Sequence, residues 1–197
     1  MNVEEAIGSR RSIRKFKRDE IPADAIEKII EAGIDAPSPK NRQPWKFILI
    51  TEKSKKEMIN ALREGIDAEE KQHRLLPGSA MHLCSARRTV DIMEEAPLTI
   101  FIENFQNRNQ LSFTLEEKLF ETANVQCIGA SIENMILTAE SMGIGSLWIC
   151  DIYFAYDRIC SWLKTDNEII AAVSFGFPDE RPPKRPRKRI EACTEWR

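Results

Sequence analysis

A chain of 197 residues with 42% hydrophobic and 30% charged side chains can bury a real core, which excludes wholesale disorder and predicts one globular domain spanning residues 1–197. Its net charge is −2, and every apolar run is broken well before the roughly 18 residues a membrane span requires, which excludes a transmembrane helix. Five cysteines with no CxxC pair favour reduced thiols, two histidines (His73 and His82) leave little for a zinc site or a histidine triad, and acidic Glu4 and Glu5 replace the basic start of a secretory leader; a soluble cytoplasmic protein is expected.

A first helix is expected over residues 3–9, leading into the basic segment Ser9-Arg10-Arg11-Ser12-Ile13-Arg14. A second opens at Ile21-Pro22-Ala23-Asp24, repeats Ile26, Ile29, Ile30 and Ile34 at helical spacing, and ends before Pro37. Lys46-Phe47-Ile48-Leu49-Ile50 reads as a buried strand, followed by a charged helix from about Lys53 to Arg63. Residues 65–89 are polar, contain Pro77-Gly78 and lack clear periodicity; a lid or mobile excursion is expected there.

Pro97–Ile102 reads as a second strand, and Thr114 with Glu117 forms a capping-box signature that starts a helical pattern running to Met142 and stopping at Gly143. Between Ala123 and Leu137 the sole charge is Glu133, while Ala123, Cys127, Gly129, Ala130 and Ser131 are small. A helix apolar around most of its circumference needs cover on more than one side. A homodimer built on this helix is expected, the alternative being a central helix covered within one chain. Gly145–Ile152 reads as a third strand, Asp157–Leu163 as a short helix and Glu168–Phe175 as a fourth strand. The tail from Pro178 holds four of the ten prolines and no glycine, so it should be extended and, in a dimer, lie across the partner subunit.

The basic residues are unevenly placed. Residues 10–18 hold six (Arg10, Arg11, Arg14, Lys15, Lys17, Arg18), residues 181–189 hold six more (Arg181, Lys184, Arg185, Arg187, Lys188, Arg189), and neither window has an acid. Of 29 basic residues, 17 remain for the other 179 positions against 31 acids, a net of −14 there. Two solubilising runs would explain this, as would a phosphate site assembled from both ends. A nucleic-acid or acidic-membrane patch is the third explanation, but the acidic remainder repels a long polyanion and the windows lack interleaved aromatics. One phosphate fits better than many.

Ala36-Pro37-Ser38-Pro39-Lys40-Asn41-Arg42-Gln43-Pro44-Trp45 is dense in prolines and small polar side chains, which suits a rigid loop offering hydrogen bonds to a heteroaromatic ligand. Together with Arg10-Arg11-Ser12-Ile13-Arg14, Gly143-Ile144-Gly145-Ser146-Leu147-Trp148 and Arg185-Pro186-Arg187-Lys188, in that order, it resembles the FMN-dependent nitroreductase family. The resemblance extends over nearly the whole chain and is thinnest at residues 65–89.

It implies an α+β three-layer α/β/α fold with a mixed, largely antiparallel sheet, in a homodimer with exchanged C-terminal tails and two FMN sites at the interface. Arg10, Ser12, Arg185 and Arg187 would hold the FMN phosphate, with Arg11 supporting the same loop and Arg14 placing a cation by the flavin pyrimidine edge. Pro37, Ser38, Pro39 and Asn41 would reach the ribityl chain and ring from the partner subunit, with Gln43 near that loop. A backbone N–H near Cys150 or Asp151 would face flavin N5, and Trp148 and Ile149 would pack on the ring. The better-known bacterial members carry Glu where Cys150 stands; since the relevant group is main-chain, flavin binding should survive and substrate polarity change. Arg87 or Arg88 would supply further pyrimidine-edge contacts.

Cys150 reads as a buried structural cysteine, His73 and His82 as surface or lid residues, and Trp45, Trp148 and Trp162 as core or ring-packing residues, none needed for hydride transfer. The implied function is ping-pong transfer of electrons from NADH or NADPH, bound transiently because no G-x-G-x-x-G occurs, to a nitroaromatic or quinone, with protons from solvent. No metal, nucleic-acid or membrane partner is expected. Rival readings are a dehalogenase, an enoate-type reductase or a flavin-fragmenting enzyme on the same fold, a non-catalytic FMN-storage protein, and a basic-tailed RNA or membrane binder.

Overall fold

The computed structural model describes residues 1–72, 80–108 and 114–197. Helix α1 (Val3–Ser9) is closed by a capping box in which the Asn2 side chain accepts the Glu5 N–H and the Glu5 carboxylate accepts the Asn2 N–H, each at 2.9 Å. Helix α2 (Ala23–Ile34) starts after Pro22. Then come β1 (Trp45–Ile50), α3 (Glu52–Gln72), α4 (Leu83–Glu95), β2 (Leu98–Arg108), α5 (Leu115–Ser141), β3 (Gly145–Ile149), α6 (Tyr156–Leu163) and β4 (Asn167–Gly176).

The four strands form one sheet in the order β1-β2-β4-β3, with Ile48 opposite Phe101 and Phe101 opposite Ala172. Because successive side chains alternate between faces, β2 and β4 feed two cores. Phe101, Ile169 and Ala172 pack with Met58, Leu62, Val90, Met93 and Ile159 beneath α3, α4 and α6. Ile100, Ile102, Ala171 and Val173 pack with Ile29, Ile128, Ile132 and Met135 of α2 and α5 on the other face. The result is the expected α/β/α sandwich.

The largely antiparallel sheet is as expected: among the described residues the four strands pair antiparallel, and the parallel component is an isolated bridge between Ser12 and Ser146. Several expectations are revised. Much of 65–89 is regular helix: α3 continues to Gln72 and α4 begins at Leu83. Gly65 does not break α3; it makes room for a neighbour, since a Cβ there would sit 2.4 Å from Ala155 Cβ. The remainder of the expected lid, residues 73–79 with His73, lies outside the described residues. The third strand stops at Ile149, where the chain turns into a 3-10 segment, Asp151–Ala155, with the Tyr153 N–H donating to the Cys150 carbonyl.

Helix α5 begins as expected, with Thr114 and Glu117 forming the capping box. Within one chain its Ile128, Ile132, Met135 and Ile136 are covered by α2 and the sheet. The apolar side chains left uncovered are nearer its start: Leu115, Leu119, Phe120 and Val125 are exposed. Among the described residues no helix is long and apolar enough to cross a membrane.

Candidate functional site

The chain's two ends meet beside β3. After α1, the Arg11 guanidinium donates to the carbonyls of Gly8, Ser9 and Arg10 at 2.8–2.9 Å, clamping the helix end and turning the chain outward. Ile13 then lies against β3, its N–H donating to the Ser146 carbonyl at 2.9 Å. Gly145 permits this approach, because a Cβ there would come within 2.7 Å of Ile13 Cγ1. Residues 15–17 pair with the start of the tail: the Lys17 N–H donates to Phe177 O at 2.8 Å and the Asp179 N–H to Lys15 O at 2.9 Å, around a Phe16–Pro178 bridge.

This places Arg10, Ser12 and Arg14 together along the β3 edge. Arg14 is exposed and folds one guanidinium nitrogen back to the Ser12 carbonyl at 3.2 Å. The tail arginines are not brought to them in the single chain. Arg185 and Arg187 lie on an exposed stretch, with the Arg187 guanidinium donating to the carbonyls of Arg185 and Pro186. Among the described residues none of Arg10, Arg14, Arg185 and Arg187 has a carboxylate partner for its guanidinium. Four such cations fit an anionic ligand.

The loop before β1 is a second group. Its Lys40, Asn41 and Gln43 have φ of 54°, 54° and 46°, three of the four non-glycine residues with positive φ among the described residues. Backbone held this way costs free energy and persists where the surroundings over-determine it. Here the Ser38 hydroxyl accepts the Gln43 N–H and the Ser38 carbonyl accepts the Asn41 N–H, both at 3.0 Å, so Ser38 staples the loop and Gln43 braces it. Pro37, Pro39, Asn41 and Gln43 stay exposed. Arg42 lies over the Phe120 ring, 4.5 Å from its centroid, tying the loop to the start of α5.

In sheet order this loop leads into one edge strand, while Arg10–Arg14 line the other. Three inter-strand spacings, about 14 Å, separate those edges. Within one chain the two groups therefore stand at opposite edges of the sheet.

At the end of β3 the expected ring-packing pair splits. Ile149 is buried in the core under α3 and α4, whereas Trp148 points to the opposite face, part-exposed beside Gly129 of α5. A single ligand face meets Trp148 and not the Ile149 side chain. Asp151 accepts the Thr89 hydroxyl at 2.6 Å, linking this turn to α4. Cys150, expected to be buried, is exposed because the chain turns outward after Ile149; partial desolvation, and then the charge of Asp151, still push its thiol upward, which favours the protonated, less reactive form. Arg87 is engaged by Asp67 and Glu70 at 2.6 and 2.8 Å as a brace between α4 and α3; Arg88 is exposed.

Sequence reasoning missed the polar base under the loop. Glu103, fully buried, accepts from Lys46 Nζ and Asn167 Nδ2, each at 3.2 Å. On the opposite face Asn124 donates to Asn104 and Asn104 to Glu168, at 3.2 and 3.3 Å. Trp45 and Lys46 pair with Asn104 and Glu103, so these bonds fix the start of β1 where the loop enters it. The signal was the Glu103-Asn104 pair inside an apolar strand, accompanied by a register shift between Ile102 and Glu103. A separate cleft of about 1000 Å³, between Lys15–Arg18 and the far end of β1, includes neither the loop nor β3 in its lining.

Known proteins share the fold. A Methanothermobacter thermautotrophicus protein, provisionally named an NADH dehydrogenase/NAD(P)H nitroreductase, is 28% identical over 94% of this chain and 82% of its own length. A BluB-like flavoprotein from Clostridium difficile superposes with a TM-score of 0.80 at 25% identity, covering 100% of this chain and 99% of that one. A Desulfovibrio desulfuricans protein, provisionally termed a nitroreductase and solved in complex with FMN, superposes with a TM-score of 0.70 at 24% identity, covering 100% and 98%. The nitroreductase family model matches residues 7–177, from α1 through the last strand, and the chain belongs to that family.

Proposed function

We propose that this protein is an FMN-dependent oxidoreductase that passes electrons from NADH or NADPH to nitroaromatics, quinones or similarly electron-poor acceptors in alternating half-reactions. The observation that carries the reading is the docking of residues 12–17 on β3 and on the root of the tail, which sets Arg10 and Arg14, without carboxylate partners, along one edge of a chain whose remainder is acidic. That donor set fits a mononucleotide phosphate: guanidinium forks and the Ser12 hydroxyl offer charge-assisted hydrogen bonds, each worth about 1.5–3 kcal/mol.

When bound, FMN supplies the two-electron redox chemistry, and the chain's task is to bind, orient and exclude water. Arg10 and Ser12 hold the phosphate, joined by Arg185 and Arg187 of the tail, while the Arg11 clamp sets the direction of the segment. Arg14 provides a fixed cation by the pyrimidine edge, where it favours the reduced state. The main chain at Cys150 and Asp151 would face N5, and Trp148 would cover part of the ring.

The remaining contacts come from a second copy. Pro37, Ser38, Pro39 and Asn41 lie on the opposite sheet edge, and a partner subunit is the natural source of a loop that one chain holds too far away. The uncovered Leu115, Leu119, Phe120 and Val125 of α5, with exposed Phe105 nearby on β2, support an interface there. The extended tail then crosses to the partner subunit. A nicotinamide and then the acceptor would bind in turn on the side of the site that Trp148 leaves open.

The test is the visible spectrum of the purified protein with FMN, before and after anaerobic NADH or NADPH. Flavin bands that bleach with the nicotinamide and return with a nitroaromatic or quinone support the reading. Bands that never bleach would assign the protein to storage, and failure to bind FMN would refute it.

A further inference from the structure

We propose that Glu180, which belongs to none of the motifs above, is a positioning residue that latches the root of the C-terminal tail to the phosphate-facing segment at Arg14. The ribbon formed by residues 15–17 and 177–179 runs on main-chain hydrogen bonds. Its next bond is different: the Arg14 N–H donates to the Glu180 carboxylate. On the other side the preceding N–H, that of Ile13, is held by the Ser146 carbonyl at 2.9 Å. Successive N–H groups of an extended chain point opposite ways. The segment that carries Arg10, Ser12 and Arg14 is therefore gripped from both sides, by β3 through Ile13 and by the tail through Glu180.

The grip is placed where the tail departs. Glu180 is half-buried against the segment, whereas Arg181 and residues 183–197 are exposed. A carboxylate accepting a backbone N–H makes a charge-assisted bond, stronger than the neutral bonds of the ribbon. Loss of that acceptor leaves the Arg14 amide open to solvent and lets the segment swing about Ile13. The latch thereby fixes the root of the tail, from which Arg185 and Arg187 follow, against the segment that carries Arg10 and Ser12. This inference rests on the proposed FMN reading for its functional consequence, though not for the contact itself.

Two measurements on the full chain test it. Amide hydrogen exchange of the FMN-free protein reads the latch alone: the Arg14 N–H should be protected, and Glu180→Ala should speed its exchange about tenfold. FMN titration reads the consequence: Glu180→Ala should raise Kd about fivefold, while Glu180→Gln, which keeps an acceptor oxygen, stays within about twofold of the unaltered protein. A merely structural role would lower Tm in both variants without separating them in Kd. An unprotected Arg14 amide, or a Glu180→Ala protein that binds FMN as tightly as the unaltered one, overturns the proposal. So does a Glu180→Ala protein that loses self-association along with FMN, since Glu180 would then act at the interface. If the unaltered protein binds no FMN, the functional reading fails while the exchange data still judge the latch.

Discussion

Gly145 is where the basic segment crosses β3, and Gly145→Ala tests whether that crossing positions the site. A Cβ at this position would lie 2.7, 3.1 and 3.3 Å from Ile13 Cγ1, Cβ and Cγ2. Ile13 cannot retreat freely, because it is 5% exposed in the core and its N–H is bonded to Ser146. Overpacking of this kind costs about 1–3 kcal/mol. For a domain of this size that is a fall in Tm of roughly 2–12 °C. The least costly relief is to lift residues 12–14 off the strand, which displaces Ser12 and Arg14 and should weaken FMN binding about tenfold, the equivalent of one phosphate contact. Ile13→Ala alone should cost about 2–5 kcal/mol through the cavity it leaves. With Gly145→Ala the new methyl fills part of that space, so the double variant should be more stable than the sum of the single effects by at least about 1 kcal/mol. Urea denaturation of the four proteins, with FMN titration of each, measures the coupling. Additive stabilities, or a Gly145→Ala protein with unchanged Tm and Kd, would refute the reasoning.

Arg187→Ala should weaken FMN binding about tenfold or more without changing Tm, since the residue is exposed and supplies one phosphate contact; fluorescence titration checks this. Lys46→Met leaves the buried Glu103 without its cation and should destabilise the fold by about 2–4 kcal/mol, reduced from the fully buried case because the Lys46 side chain is partly exposed. Adding Glu103→Gln should recover most of that loss in urea denaturation. The Glu117 carboxyl is held below its usual range, first by the Thr114 backbone N–H and then by the Thr114 side chain. Its depressed folded value means that the stabilisation is present above the unfolded value and is lost as pH falls through the folded one. Fraying of the first turn of α5 on acidification, followed by NMR, should therefore shift to higher pH in Thr114→Ala.

Much of this fold is legible because its local signals agree. Thr114 and Glu117 announce the start of α5, the Ile29 stripe places α2, and the runs around Ile100 and Ala172 mark buried strands, whereas the run around Ile48, expected to be buried, is a half-exposed strand because it lies at the sheet edge. Where neighbours decide, legibility ends. Gly65 looks like a breaker until Ala155 is seen pressed against it, and α4 hides because Leu83, Ala86, Val90 and Met93 flank the polar Arg87-Arg88-Thr89 stretch.

The site divides in the same way. The clustered arginines are visible as charge, whereas the positive φ of Lys40 and Gln43, on either side of an Asn41 that adopts it more readily, accompanies the Ser38 staple and has no local signal. Trp148 and Ile149 are adjacent in sequence and point apart in space, and only strand alternation against a known core reveals which one faces outward. Strand order, which sets the loop and the arginines on opposite edges, is a long-range property that no motif spacing carries.

The central claim is that a flavin sits between two copies of the chain, held by arginines from both ends of the sequence. Native mass spectrometry of the protein saturated with FMN measures this directly. One dominant species of two chains and two flavins is expected, and Arg10→Ala should need about tenfold more FMN to fill it. A single chain carrying a full complement of FMN, or a dimer carrying none, would contradict it.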